Sequence, residues 1–118
     1  MKRFSSLLIA MAMLSTGVAL AQSKFAGKYD LLSGYTDGYY AGLFGYGIAS
    51  VSRKGVASYS SYYPYVGVSG SGTGTINSKG IFRLNNGTSG TAAILSRRVG
   101  VGKFNDSMGS GLFALKKR

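Results

Sequence analysis

Tyrosine is the residue whose clustering in this sequence most suggests a binding surface. All nine tyrosines lie between Tyr29 and Tyr65, and the segment SYSSYYPYVG (58–67) carries four of them. Tyrosine offers a rigid amphipathic ring at low entropic cost, and antibody paratopes combine Tyr, Ser and Gly for this reason. The guanidinium and ammonium groups just before this segment can hold an acidic group of a ligand. The predicted ligand-binding residues are Tyr59, Tyr62, Tyr63, Tyr65, Arg53 and Lys54.

The same rings also suit packing over glycine. The segment GYTDGYYAGLFGYG (34–47) mixes four tyrosines with five glycines, and GSGTGTIN (70–77) alternates glycine with serine and threonine. Aromatic cross-strand pairs stabilise sheets by about 0.2–1 kcal/mol each, and rings laid over glycine cover exposed backbone. We therefore expect about half of the tyrosines, including Tyr40 and Tyr46, to pack over glycine rather than to bind a ligand.

Side chains that commonly carry catalysis are scarce. After residue 21 the sequence contains no His, Cys, Glu or Trp, and its carboxylates are Asp30, Asp37 and Asp106. General acid–base catalysis at neutral pH relies mostly on histidine or on a tuned carboxylate. Zinc and copper sites need His or Cys ligands, and a calcium site needs more carboxylates than the loop around Asp106 supplies. We expect a non-catalytic protein with no metal and no other cofactor.

The charge of the chain points to anionic partners. The formal net charge is +11, and most of it remains without Lys2 and Arg3. Such an excess of positive charge favours binding to an anionic polysaccharide or to an envelope surface. The basic residues are scattered, apart from 97–98 and 116–118, which argues against specific recognition of nucleic acid. Self-association into a fibre or matrix is the alternative, because Gly, Ser and Tyr richness with repeated hairpins suits stacking of sheet edges.

Residues 1–21 have the pattern of a bacterial export signal. Two basic residues precede a short apolar run at 7–14, and Ala-Leu-Ala at 19–21 forms a cleavage site of the A-x-A type. We predict cleavage before Gln22 and export to the periplasm or the extracellular space. The apolar run is too short to cross a bilayer, so no transmembrane segment is expected in the mature chain.

The remainder, 22–118, is predicted to be a single glycine-rich β-domain. Polar and bare or apolar positions alternate with a period of two in several segments, and no helical period is present. The strands are predicted at 24–33, 39–52, 56–68, 71–77, 81–86, 91–104 and 110–117.

Turn signals separate these strands. Asp37-Gly38 and Asn86-Gly87 are hairpin signals, and SRKGV (52–56) and NSKGI (77–81) both fit a type I turn followed by glycine in a left-handed bulge position. About seven strands in simple succession predict an antiparallel up-and-down meander. Such a sheet hides its edges by closing as a small barrel or by folding over as a sandwich.

Overall fold

The computed structural model describes residues 24–96 and 98–118. They form eight strands: β1 (Gly27–Tyr35), β2 (Phe44–Val51), β3 (Val56–Tyr63), β4 (Val68–Ile76), β5 (Ile81–Leu84), β6 (Ser89–Ile94), β7 (Val99–Asp106) and β8 (Gly109–Lys117). Each strand pairs antiparallel with the next, and β8 pairs with β1 to close a barrel. The predicted all-β meander is confirmed, with the barrel as its closure. The predicted export signal and its cleavage site lie outside the described residues.

The predicted strand 91–104 is in fact two strands, β6 and β7. The chain reverses between them, where Leu95 N donates to Val99 O at 2.9 Å. The Ser96 hydroxyl accepts hydrogen bonds from the backbone N–H groups of Arg98 and Val99 at 3.3 and 3.2 Å. This turn is therefore stabilised by a serine side chain and not by the Gly, Asn or Pro residues that mark other turns, so the sequence pattern did not reveal it.

The predicted strand 39–52 begins later than expected, at Phe44. Between β1 and β2 the chain forms a loop, 36–43, whose base is held by a 2.9 Å hydrogen bond from Gly42 N to Tyr35 O. Gly38 has a φ of 83°, so the Asp-Gly pair does turn the chain, but inside a wider loop. The hairpin predicted here is present as the antiparallel pair of β1 and β2, but the predicted strand start at residue 39 is wrong. Tyr39 and Tyr40 lie in the loop instead of a strand.

The prediction that the two lysine-glycine turns have the same conformation is confirmed. Gly55 N donates to Ser52 O, and Gly80 N donates to Asn77 O, both at 3.0 Å. Both glycines have a φ of 83°, a left-handed value that side chains with a Cβ rarely adopt. The two turns lie at the same end of the barrel.

Aromatic rings that lie across glycines of the neighbouring strand fill much of the barrel. The pairs that stand directly opposite in register are Tyr59–Gly72, Phe82–Gly90, Phe104–Gly111 and Phe113–Gly102. A Cβ on Gly72 would lie 3.0 Å from the Tyr59 ring, and one on Gly111 would lie 2.6 Å from the Phe104 ring. Only glycine leaves space for a ring at such a position on the inner wall.

The expectation that Tyr40 and Tyr46 pack over glycine is wrong. Tyr46 points outward and is 56% exposed, with its ring 6.0 Å from that of Tyr62. Tyr40 lies in the loop 36–43 and packs against the ring of Tyr35 at 5.5 Å. A period-two pattern shows which residues share a face of a strand, but it does not show which face is the inner one.

The two ends of the barrel are built differently. The closed end carries the turns 52–55 and 77–80, the reversal between β6 and β7, and both chain ends of the described barrel. The open end carries the loop 36–43 and the turns 64–67, 85–88 and 107–108. Phe25, which is 4% exposed, plugs the closed end. Its backbone carbonyl accepts a 2.7 Å hydrogen bond from the buried Tyr29 hydroxyl.

Candidate functional site

The barrel encloses a cavity of about 280 Å³. Its deep part is mainly apolar and is lined by Leu31, Val51, Ala57, Ile76, Phe82 and Phe113. Tyr40, Asn86 and Met108 line it at the open end, whereas no residue of the described closed-end turns contributes. An eight-stranded barrel is just wide enough either to be filled by its own side chains or to hold one small ligand. Here the glycines of the inner wall leave part of the interior unfilled.

Several hydroxyl groups in the half of this cavity nearer the open end are held by hydrogen bonds. Ser33 Oγ and Tyr63 Oη are 2.8 Å apart. Tyr59 Oη accepts a 2.9 Å hydrogen bond from Asn86 Nδ2, which leaves its own proton for another acceptor. Among the described residues, every buried side-chain nitrogen or oxygen has a hydrogen-bond partner. The cavity therefore combines an apolar floor with oriented polar atoms nearer its mouth.

Two buried phenols of this cavity, those of Tyr35 and Tyr63, keep their protons at physiological pH. Burial raises the pKa of Tyr35 far above its usual 10.0, and its 2.6 Å hydrogen bond to the Asp106 carboxylate raises it further. Burial also raises the pKa of Tyr63, against the opposing effect of its hydrogen bond with Ser33. A phenol that keeps its proton donates a hydrogen bond, so neither ring contributes a negative charge.

Four of the predicted binding residues are distributed over three different surfaces. Tyr59 and Tyr63 point inward and line the cavity, and Tyr63 is only 6% exposed. Tyr62 points outward and is 38% exposed, because neighbouring residues of a strand face opposite sides. Tyr65 is 87% exposed in the turn 64–67. The predicted exposed tyrosine patch is therefore not formed, since its members do not share a face.

Arg53 and Lys54 lie still further from these rings. They occupy the turn 52–55 at the closed end, whereas Tyr65 follows the other end of β3. The eight residues of β3 span roughly 25 Å at about 3.3 Å per residue. A single small ligand cannot contact both groups, so the six predicted residues do not form one site.

The basic residues gather at the closed end. Those at its turns and strand ends are Lys24, Lys28, Arg53, Lys54, Lys79, Arg98, Lys116, Lys117 and Arg118. Of the other described cations, Arg83 and Lys103 lie within strands, nearer the middle of the barrel. Asp37 and Asp106 lie at the open end. In an up-and-down barrel every second turn lies at the same end, so residues that are scattered in sequence converge in space.

The outer surface is also divided. One side of the outer surface carries six exposed apolar or aromatic side chains, which we call the apolar wall: Leu32, Phe44, Tyr46, Ile48, Tyr62 and Leu112. They are contiguous, because Tyr46 stands opposite both Leu32 and Tyr62, while Phe44 and Leu112 both stand opposite Gly34. The outward residues of β4 carry hydroxyl groups instead, at Ser69, Ser71, Thr73 and Thr75. Further round the barrel, β5 and β7 expose the separate apolar side chains of Ile81, Val99 and Val101.

Sequence reasoning missed the cavity residues Tyr35, Asn86 and Asp106. Asn86 and Asp106 belong to residue types that are common in turns, so their presence in turn segments needed no further explanation from the sequence. Asp106 does serve its turn, since its Oδ1 accepts from Met108 N at 2.8 Å, while its Oδ2 faces Tyr35. Only the closure of the barrel, which brings the ends of β1 and β7 together, makes this second contact visible.

Within residues 24–96 and 98–118, no group of three His, Cys, Asp or Glu side chains could hold a metal ion. The same ranges contain no helix of the length and hydropathy needed to cross a membrane. No known protein family, curated protein or solved structure matches this chain.

Proposed function

We propose that this is a non-catalytic binding protein that attaches through its closed end to an anionic polysaccharide or to another anionic envelope surface. One observation carries the proposal: all but two of the Lys and Arg residues in the described part of the chain surround that end. The export signal predicted at residues 1–21 supports it, because exported proteins meet such surfaces.

The physical reason is that the summed field of clustered charges attracts a polyanion over a longer range than any single contact. Within the cluster the carboxylate of Asp30 offsets only part of this field, through its 2.9 Å ion pair with Arg118. Lysine predominates over arginine in the closed-end set, and its flexible stem and point charge suit a polymer of variable geometry. Binding should therefore weaken steeply as salt is added, because salt screens exposed charges.

Retention of the purified protein on immobilised heparin and on lipopolysaccharide tests the proposal. The charge-reversed variant Lys54→Glu with Lys79→Glu changes two exposed positions that precede glycine in equivalent turns, so the fold should tolerate it. We expect this variant to bind about tenfold more weakly. The matched control is Arg83→Glu with Lys103→Glu, which changes the net charge equally but away from the closed end.

The two variants separate an oriented interaction from a general effect of charge. Retention that falls only in the closed-end variant supports the proposal. Equal weakening of both variants would mean that net charge, and not the closed end, determines binding. The absence of salt-sensitive retention on either polymer would contradict the proposal outright.

Self-association remains the second candidate, and the apolar wall favours it. Edge stacking is not open to the described strands, because each one is paired on both sides within the closed barrel. Contiguous exposed apolar patches instead mark surfaces that associate through side chains. A second copy of the same wall is the simplest partner for a two-fold symmetric contact.

Sedimentation at rising protein concentration tests this second candidate. We expect Phe44→Ser with Leu112→Ser to shift an assembled species to monomer. Ile81→Ser removes an exposed apolar residue from the opposite side and should leave the assembly unchanged. A wild-type protein that stays monomeric at high concentration would exclude self-association through this wall.

A further inference from the structure

We propose that the barrel interior binds a small, uncharged and largely apolar ligand that carries one hydroxyl group, and that this ligand enters at the open end. The proposal is independent of attachment at the closed end, because the two surfaces share no residue. It follows from the size, the lining and the electrostatics of the cavity.

The size of the cavity sets the size of the ligand. Its volume is about 280 Å³. An apolar protein cavity of about 150 Å³ stays dry and binds benzene. The barrel interior therefore has room for a molecule of about two fused rings, while it is slightly smaller than the 300–1,000 Å³ typical of sites for drug-sized ligands.

The lining sets the polarity of the ligand. Leu31, Ile76 and Phe82 offer no hydrogen bond to water in the deep part of the cavity, so an apolar group would be more stable there than water. Nearer the mouth, the Asn86 amide donates a hydrogen bond to Tyr59 Oη and holds it in place. The Tyr59 hydroxyl proton can then be donated to a ligand. One polar atom on the ligand is enough to use this contact.

The electrostatics of the cavity exclude an anion. No Lys or Arg lines the cavity among the described residues, and the carboxylate that does line it belongs to Asp106. The neutral phenols of Tyr35 and Tyr63 supply no positive charge to offset it. An anionic ligand would be desolvated beside a carboxylate with no cation to compensate. The interior and the closed end therefore select ligands of different charge.

Gly70 provides a way to fill the cavity without disturbing the wall. It faces inward from β4, and a Cβ on it would have only Ser61 Oγ at 3.7 Å and Tyr59 Oη at 3.9 Å within 4 Å. These are ordinary van der Waals distances. Valine at this position would place its methyl groups in the space that the ligand needs, and it would also raise the β-propensity of the strand.

The experiment measures the binding of 2-naphthol to the wild-type protein by the fluorescence of the probe. The chain has no tryptophan, so probe emission is readily resolved from that of the protein. We expect saturable binding that is insensitive to salt, and about tenfold weaker binding of the anion 2-naphthoate, which has the same rings. Gly70→Val should weaken 2-naphthol binding about tenfold without lowering the melting temperature.

Two control variants make the result decisive. Ser71→Val adds the same side chain to the outer face of β4 and should bind 2-naphthol like the wild type. Lys54→Glu with Lys79→Glu should also bind it normally, which separates this proposal from attachment at the closed end. Three results would overturn the proposal: no saturable binding to the wild type, undiminished binding to Gly70→Val, or salt-sensitive binding of 2-naphthoate as tight as that of 2-naphthol.

Discussion

The closed and open ends of the barrel differ in packing and in charge. The closed end is plugged by Phe25 and surrounded by cations, whereas the open end leads into the cavity and carries two aspartates. Tyrosine rings from the loop 36–43 and from β3 gather at the open end without sealing it, with the Tyr40 and Tyr63 rings 6.5 Å apart.

This difference separates buried packing from unfilled volume within a very small fold. The buried ring of Phe25 packs the closed end, for which we propose an anionic partner. The open end keeps unfilled volume at a cost in packing, because a void deprives its lining atoms of dispersion contacts. Substitutions should therefore affect stability more at the closed end than at the open end.

The largest effect is expected from Phe25→Ala, which removes the plug. Truncation of a buried Phe to Ala typically costs about 3–5 kcal/mol. Tyr65→Ala at the open end removes an equally large ring that is almost fully exposed and should be near neutral. Urea denaturation of both variants measures the contrast. Similar free energies of unfolding would show that the plug does not stabilise the barrel.

A smaller, graded effect is expected along β4, whose inward glycines run from the open end towards the closed end. A Cβ on Gly74 would clash with the Arg83 carbonyl oxygen, and one on Gly72 would meet Asn86 Nδ2 and the Tyr59 ring at 3.0 Å. Gly72→Val should cost about 1–3 kcal/mol by overpacking, with Gly74→Val at least as costly. Gly70→Val should be neutral or mildly stabilising.

Thr73→Val is the matched control for this series, because it lies in the same strand on the solvated outer face. It should change the free energy of unfolding little. Chemical denaturation that gives Gly72→Val the same stability as Thr73→Val would contradict tight packing at Gly72.

At alkaline pH the barrel should lose stability, in part through Tyr35 at the open end. The unfolded chain loses phenolic protons near pH 10, whereas burial and Asp106 keep Tyr35 protonated in the folded barrel. Above about pH 10 the unfolded state therefore binds fewer protons than the native state, so stability falls as pH rises. Below about pH 10, Tyr35 is protonated in both the folded and the unfolded state, so it does not make the stability depend on pH. Melting temperatures across the alkaline range should fall less steeply for Tyr35→Phe than for the wild type, and equal slopes would refute the assignment.

The smallest effect is expected from the exposed ion pair between Arg118 and Asp30. Exposed pairs of this kind contribute about 0–1 kcal/mol. Arg118→Ala should therefore lower the melting temperature only slightly, and the loss should vanish at high salt. A large, salt-independent loss would show that the Arg118 side chain has a packing role at the closed end beyond its charge.

The turns and the alternation of strand faces were predictable from the sequence, because each depends on only a few neighbouring residues. Gly55 and Gly80 follow the same Asn/Ser-x-Lys pattern, and both take the positive φ that the bulge position of this turn requires. The alternation in β4 also predicted correctly that its glycines share a face, although a ring covers only Gly72 among them. The reversal at Ser96 escaped prediction, because a hydroxyl cap leaves little trace in composition.

The sequence by itself therefore determined an all-β meander with its main turns, since alternation and backbone conformational preference act within a few residues. The tertiary structure decided which face of each strand points inward, and with it which tyrosines line a cavity. It also decided that scattered cations form one basic end. Both outcomes depend on the pairing of β1 with β8, which joins residues at opposite ends of the described chain. No local pattern encodes that closure, because its cost in chain entropy is met only by the burial of the whole interior.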